Sequence, residues 1–313
     1  MRRSIAIQRP ARLSLDRTML LIENEEGQHR VPLEDLMVIV LDHEAIAITE
    51  PLLGALGSER VAMVVCDVKH LPSALLLPYE GHGLMAQTLR AQIEASKPTK
   101  KQLWRAIVQE KIRSQARLLV EKRGMDRGLA AMAKDVRSGD TSNREGAAAT
   151  LYFAELFGPG FARVRRDRAR IAAILGEPVD ADASTTFRIA NALLNYGYAV
   201  LRAAVARAVV LAGLHPALGI FHRHRENTFS LADDLMEPLR VLVDRIAFDI
   251  VEEMPQLPND LTPELKRRVL ALLTAEVRWG GAMWPLDAAL EAYAAGVRAC
   301  LIGETKELAI PAA

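Results

Sequence analysis

Three groups of polar side chains are spread along an Ala- and Leu-rich sequence. They are Glu145 in Asn143-Arg144-Glu145-Gly146, His222 in Gly219-Ile220-Phe221-His222, and Asp234 with Glu237 in Asp233-Asp234-Leu235-Met236-Glu237-Pro238. Two or three carboxylates and one imidazole suit a hard divalent cation, Mg²⁺ or Mn²⁺, with coordination positions left for water or a phosphate oxygen. Taken singly, each group also has a plainer reading. Ser142-Asn143-Arg144-Glu145 fits a helix capping box, in which Ser142 and Glu145 satisfy each other's backbone amides. A lone His222, with His224 two residues on, is commonly an ordinary polar or buried side chain. Asp234 and Glu237 share one helix face and repel each other, while Ser230 and Asp233 could form a cap at the positive helix end. Pro238 favours the ion-binding reading of that segment. It would clash with the Asp234 carbonyl in a regular helix, at about 3 kcal/mol, so a kinked acidic turn is predicted.

The elements that must position these groups change character near residue 80. Upstream, residues 4–8, 12–15 and 19–22 are short, β-compatible runs between turn residues, and Glu25-Glu26-Gly27 marks a turn before Val31. Residues 36–41 and 61–65 read as further strands, with a short helix at 49–56 between them. Pro72, Pro78, Gly81 and Gly83 punctuate a linker at 76–83. Beyond it, apolar residues recur at three- and four-residue spacing, as in Leu103, Ile107, Ile112, Ala116 and Leu119. Helices are predicted at 145–157, 186–211, 230–251, 263–277 and 285–302. The expected fold is therefore α+β: a small β-rich domain over 1–80, then a larger all-α domain over 81–313 carrying the candidate site.

The 313 residues, 50% hydrophobic, suffice for about two domains with full cores. Cys66 and Cys300 show no paired spacing and read as reduced thiols of a cytoplasmic protein. No signal-peptide core or run of roughly 18 apolar residues is evident, so no membrane attachment is expected. The net charge of +1 hides an asymmetry. Residues 97–127 hold ten Lys/Arg against Glu110, Glu121 and Asp126, and 163–170 hold five Arg against Asp167. Such stretches suit phosphate-backbone binding or simply a solvated helix face. The run from Asp249 to Glu264 has five acids and no Lys or Arg, which suits a basic partner or solvent. There is no phosphate-binding loop ending in GK[ST], no GxGxxG, no HExxH, no Cys/His zinc spacing and no Gly-x-Ser-x-Gly.

Leu41-Asp42-His43, Cys66-Asp67-Val68-Lys69-His70-Leu71-Pro72, Arg144-Glu145-Gly146-Ala147-Ala148, Asn191 to Tyr198, Leu218 to His222 and Leu231 to Pro238 together carry a family resemblance. In their order and spread over nearly the whole chain they resemble the CRISPR-associated protein one family, the metal-dependent integrase and endonuclease of spacer acquisition, and most closely its type II members. The resemblance implies that Glu145, His222 and Glu237 are catalytic metal ligands for Mg²⁺ or Mn²⁺, with Asp234 an auxiliary carboxylate, and this takes precedence over the capping-box reading. His43 and His70 lie outside the metal motif and are read as structural. The implied reaction joins a prespacer DNA 3′-hydroxyl to a phosphate of the CRISPR leader-repeat, with related hydrolysis of DNA. Implied partners are DNA, a second copy of the chain joined through the N-terminal domain, a dimer of CRISPR-associated protein two, and the adaptation and effector proteins of type II systems. A general nuclease of branched-DNA repair and a non-catalytic nucleic-acid scaffold are the competing readings.

Overall fold

The structure, a computed structural model, describes residues 2–68, 72–79, 83, 85–164, 184–222, 225–254 and 256–313. His70, His224 and the Arg run from 165 to 170 lie outside the described residues. Eight strands precede residue 77: β1 (Arg3–Ile7), β2 (Ala11–Asp16), β3 (Met19–Asn24), β4 (Gly27–Pro32), β5 (Leu36–Leu41), β6 (Ile46–Ile48), β7 (Ala62–Cys66) and β8 (Pro72–Leu76). They form two four-stranded sheets, ordered β1-β5-β7-β8 and β4-β3-β2-β6. In the first, β1, β5 and β7 are parallel, and α1 (Glu50–Ser58) lies between β6 and β7 in sequence.

All six residues of β5 are buried, as a strand covered on both faces must be. Leu36, Ile39 and Leu41 join a core between the two sheets, whereas Met37, Val38 and Val40 join the core of the helical region. This strand is therefore the seam between the two halves. Asp42, at its end, is clamped by Lys266 at 2.7 Å in a buried ion pair. The five strands read from sequence all form, and three more, β4, β6 and β8, appear. β6 has only three residues, and β8 begins at Pro72, a residue tolerated there because β8 is an edge strand. His43 accepts a hydrogen bond from the Ala45 amide at 3.0 Å, a local turn contact in keeping with its structural reading.

The helical region contains α2 (Met85–Glu94), α3 (Lys97–Arg123), α4 (Leu129–Lys134), α5 (Arg144–Phe157), α6 (Thr185–Leu211), α7 (Ser230–Met236), α8 (Arg240–Glu253), α9 (Pro263–Leu270) and α10 (Leu286–Leu301). Ser96 caps α3 by accepting from the Thr99 amide, and left-handed Gly124 ends it. Among the described residues, α6 alone is long and apolar enough to cross a membrane, yet 83% of its apolar window is packed inside the protein. It is the central core helix.

The helix predicted over 263–277 is shorter. It ends at Leu270 in a 3₁₀ turn, and Glu276–Trp279 and Ala282–Pro285 form a hairpin, β9 and β10. Gly280 and Gly281 both have positive φ, as the tight turn between twisted strands requires. Arg278 exchanges backbone hydrogen bonds with Ala312, so the hairpin also secures the C-terminal segment.

Part of the charge asymmetry of the sequence is cancelled by ion pairs among the described residues. From α3, Lys122 pairs with Asp249 and Arg123 with Glu252, while Arg245 of α8 pairs back to Glu121. Glu253 and Glu264 are taken by Arg268 and Arg267. Arg113 and Arg117 pair with Glu110, and Arg127 with Glu155. The acidic run thus meets basic residues of its own chain, and much of the α3 charge is engaged in ion pairs.

Candidate metal centre

Glu145 sits in the first turn of α5, beside the middle of α3. The predicted capping box is replaced by another cap. Asn143 precedes the helix with φ of 49°, in the left-handed region that asparagine tolerates, and makes no side-chain cap. Instead Asp140 accepts from the amides of Arg144 and Glu145 at 2.9 and 3.0 Å. That leaves the Glu145 carboxylate for tertiary contact, and it pairs with Lys111 of α3.

Glu237 comes from the break that Pro238 imposes. α7 stops at Met236, residues 237–239 form a 3₁₀ turn, and α8 starts at Arg240. The turn packs against α3, where Glu237 Oε2 lies 2.6 Å from Lys111 Nζ and Oε1 lies 2.9 Å from Arg240. Burial alone would raise the Glu237 pKa. Arg240 and Lys111 outweigh it and hold the group ionised, at about 2. Despite the ion pair, Oε2 has no directional hydrogen-bond partner. Lys111 is likewise buried, and the attraction of Glu237 and Glu145 overcomes the burial that would otherwise lower its pKa.

His222 lies in a loop organised by Asp234. This carboxylate is fully buried and accepts from the amides of Ile220 at 2.6 Å, Phe221 at 2.9 Å and His222 at 3.2 Å. It also bonds the His222 Nδ1 at 2.6 Å, which leaves Nε2 as the other ring nitrogen for a ligand. Gly219 is required because a Cβ there would collide with the His222 carbonyl oxygen and crowd Asp234. The Asp234 bond raises the His222 pKa against the opposing effect of burial. Desolvation raises the pKa of Asp234 itself. Phe221 stacks on the buried Trp104 of α3 with centroids 4.3 Å apart, anchoring the loop's other side.

The structure therefore gathers Glu145, Glu237 and His222 around α3, but with Lys111 between the carboxylates. Among the described residues no three His, Cys, Asp or Glu side chains stand at mutual metal-ligating distance. Asp234 is spent on the loop and on Nδ1, the position of a group that orients a ligand. Asp233 bonds Arg202 and Asn227, so the cap suggested for it with Ser230 does not form. The donor types nonetheless fit a hard cation: two carboxylates and one oriented imidazole. Lys111 and Arg240 were missed by sequence reasoning. Lys111 had a signal, because it falls on the buried Trp104, Val108, Gln115, Leu118 face of α3, where a lysine demands a partner.

A family model described as CRISPR associated protein Cas1 matches residues 5–158 and 189–278. The chain belongs to the Cas1 family. It is 41% identical over 278 residues to a CRISPR-associated endonuclease Cas1 of Neisseria meningitidis, covering 88% of this chain and 84% of that one. Two solved structures share the Cas1 fold seen here: a casposase bound to integration product (TM-score 0.72, 20% identity, 98% of this chain and 92% of that one), and a Cas6-RT-Cas1–Cas2 complex (TM-score 0.71, 18% identity, 98% and 35%).

Behind this Cas1 site, Asp244 of α8 is buried and accepts hydrogen bonds from Tyr152, at 2.8 Å, and Tyr198. Desolvation pushes its pKa up to about 6 although both tyrosines oppose the rise. Between its unfolded value of 3.8 and about 6 the folded protein binds the extra proton, so this group's contribution to stability falls as pH rises through that window. The expected decline is on the order of 3 kcal/mol at most, from about 1.36 kcal/mol per unit. Asp244→Asn lacks this titration. In urea denaturation between pH 4 and 7.5, the stability of the variant relative to wild type should rise with pH and level off above about 6. A difference constant with pH would contradict the assignment.

Proposed function

We propose that this chain is the metal-dependent DNA integrase and endonuclease of CRISPR spacer acquisition, acting in the cytoplasm. The observation that carries the reading is that Glu145 and Glu237, from separate segments, meet at Lys111 of α3 in a chain of the Cas1 family, while an Asp234-oriented His222 lies against Trp104 of the same helix. Glu145, Glu237 and His222 Nε2 would hold Mg²⁺ or Mn²⁺. Bound there, the ion would supply charge neutralisation for a phosphate and acidify a hydroxyl nucleophile. Asp234 fixes the imidazole and its tautomer, while Arg240 keeps Glu237 ionised.

In strand transfer, the prespacer 3′-oxygen forms a new bond to a repeat phosphorus and loses its proton. The phosphorus–oxygen bond to the displaced strand breaks, and that strand leaves with a new 3′-hydroxyl. Water in place of the 3′-hydroxyl gives endonucleolytic cleavage. The domain division at residue 80, a homodimer joined through the strand domain, and assembly with CRISPR-associated protein two and type II proteins belong to the same proposal. The name of the Cas6-RT-Cas1–Cas2 structure supports the second partner. Exposed cations with no ion pair among the described residues, such as Lys97 and Lys101 at the start of α3, are candidates for DNA backbone contact.

The test is an integration assay with a repeat-containing target, the partner protein and Mg²⁺ or Mn²⁺. A joined product should form from a 3′-hydroxyl prespacer and be lost with a 3′-deoxy end or with chelator. Equal product from the 3′-deoxy end would contradict the strand-transfer reading.

A further inference from the structure

Lys111 stands where a dication would have to stand. Its ammonium contacts Glu145 and lies 2.6 Å from Glu237 Oε2, with its side chain only 8% exposed. It hydrogen-bonds Glu145 and makes an ion pair with Glu237 Oε2, so one buried ammonium serves both carboxylates. Arg240 already balances one of the two negative charges from the other oxygen of Glu237. The cluster of Glu145, Glu237, Lys111 and Arg240 is therefore neutral. Adding a dication while Lys111 remained in place would bring like charges together on the same two carboxylates.

We propose that Lys111 is an internal counter-ion shared by Glu145 and Glu237, and that divalent cation binding displaces its ammonium from between them. The inference rests on the reading of these residues as metal ligands. It gives Lys111 a positioning role: the ammonium holds the mutually repelling carboxylates together before the ion arrives, and its flexible four-carbon stem lets it withdraw afterwards. The cost is apparent affinity, because an ion binds only the fraction of molecules in which the ammonium has moved aside.

Lys111→Met keeps the apolar stem and removes the charge. In EDTA this variant should melt at a lower temperature than wild type, since the carboxylates lose their shared counter-ion. Isothermal titration with Mn²⁺ should nevertheless show binding tighter by about ten- to a hundredfold, the gain expected if the competent fraction in wild type is about 1–10%. The melting temperature should also rise more on Mn²⁺ addition than in wild type. An unchanged or weaker Mn²⁺ affinity in a folded Lys111→Met variant would overturn the proposal while leaving the metal site standing, provided Glu145→Gln abolishes Mn²⁺ binding to otherwise wild-type protein. If Glu145→Gln and Glu237→Gln both leave Mn²⁺ binding intact, the metal reading and this inference fall together.

A measurement on the unmutated side chain covers the case in which Lys111→Met does not fold. With lysine labelled at Cε, the two Hε protons of Lys111 should be inequivalent in EDTA, where the ammonium is pinned, and converge when Mg²⁺ saturates the site. The Lys111 signal is assigned with Lys111→Arg. No movement of that signal at saturating Mg²⁺ would overturn the displacement.

Discussion

Glu145→Gln and Glu237→Gln are each expected to reduce strand transfer by at least about a hundredfold while leaving most of the DNA affinity in place. The size follows from what is lost: a charged oxygen donor to the ion that neutralises the reacting phosphate, an electrostatic contribution commonly worth 10²–10³ in rate. DNA affinity should survive because it depends mainly on cations facing the phosphate backbone, not on two carboxylates that repel it. The two variants should differ in stability. Glu145 is partly exposed, and its replacement leaves Lys111 paired to Glu237. Glu237 is buried and balances both Lys111 and Arg240, so its neutralisation strands buried positive charge and should cost about 3 kcal/mol or more. Integration assays, a DNA titration and thermal melts on the same preparations check all three expectations. Transfer near the wild-type rate in either variant would remove that residue from the metal centre.

The second large effect is expected at a residue that need not touch metal or DNA. Asp234→Asn keeps the size of the side chain but turns one acceptor oxygen into a donor. In the native loop both oxygens are used, accepting from the amides of Ile220, Phe221 and His222 and bonding the imidazole Nδ1. An Asn amide must point its hydrogens at one of these donors. The expected cost is about 1–3 kcal/mol of stability from unsatisfied buried donors. The expected loss of strand transfer is about a hundredfold, because displacing a reacting group by even 1 Å can cost that much. The loop defect should also weaken Mn²⁺ binding, less than Glu237→Gln does. If Asp234→Asn abolished Mn²⁺ binding as completely as Glu237→Gln, Asp234 would be a direct ligand, as the family resemblance allowed.

The division of labour between Asp234 and Glu237 marks the limit of what the sequence could show. Periodicity located the long helices and five of the ten strands among the described residues, because amphipathic stripes and alternating strands follow directly from which face is buried. It also located the break after Met236, because Pro238 removes a backbone donor and cannot be accommodated in a regular turn. It failed where a short element depends on distant pairing. The β9–β10 hairpin is held by the C-terminal segment around Ala312, and residues 271–277 carry an apolar pattern that suits a helix equally well. The basic stretch on α3 was legible as charge but not as ion pairs with α8, since pairing depends on which helices touch.

Within the candidate site, Glu145, His222 and Glu237 were legible as a set only through motifs seen together, because each alone has a good local explanation. The local explanation for Glu145 proved incorrect for a reason invisible in the spacing. Asp140, three residues before Asn143, reaches the α5 amides from a tight turn and takes over the cap. Lys111 shows the opposite situation. A lysine on the buried face of α3 announces a buried acidic partner, but nothing in the sequence says that it has two, Glu145 and Glu237.

Crystals soaked in MnCl₂ and measured above the manganese absorption edge test the central claim most directly. The account predicts one anomalous peak bonded to carboxylate oxygens of Glu145 and Glu237 and to His222 Nε2, and its loss in Glu237→Gln. Absence of a peak at a saturating concentration, or a peak that leaves these three side chains untouched, would contradict it.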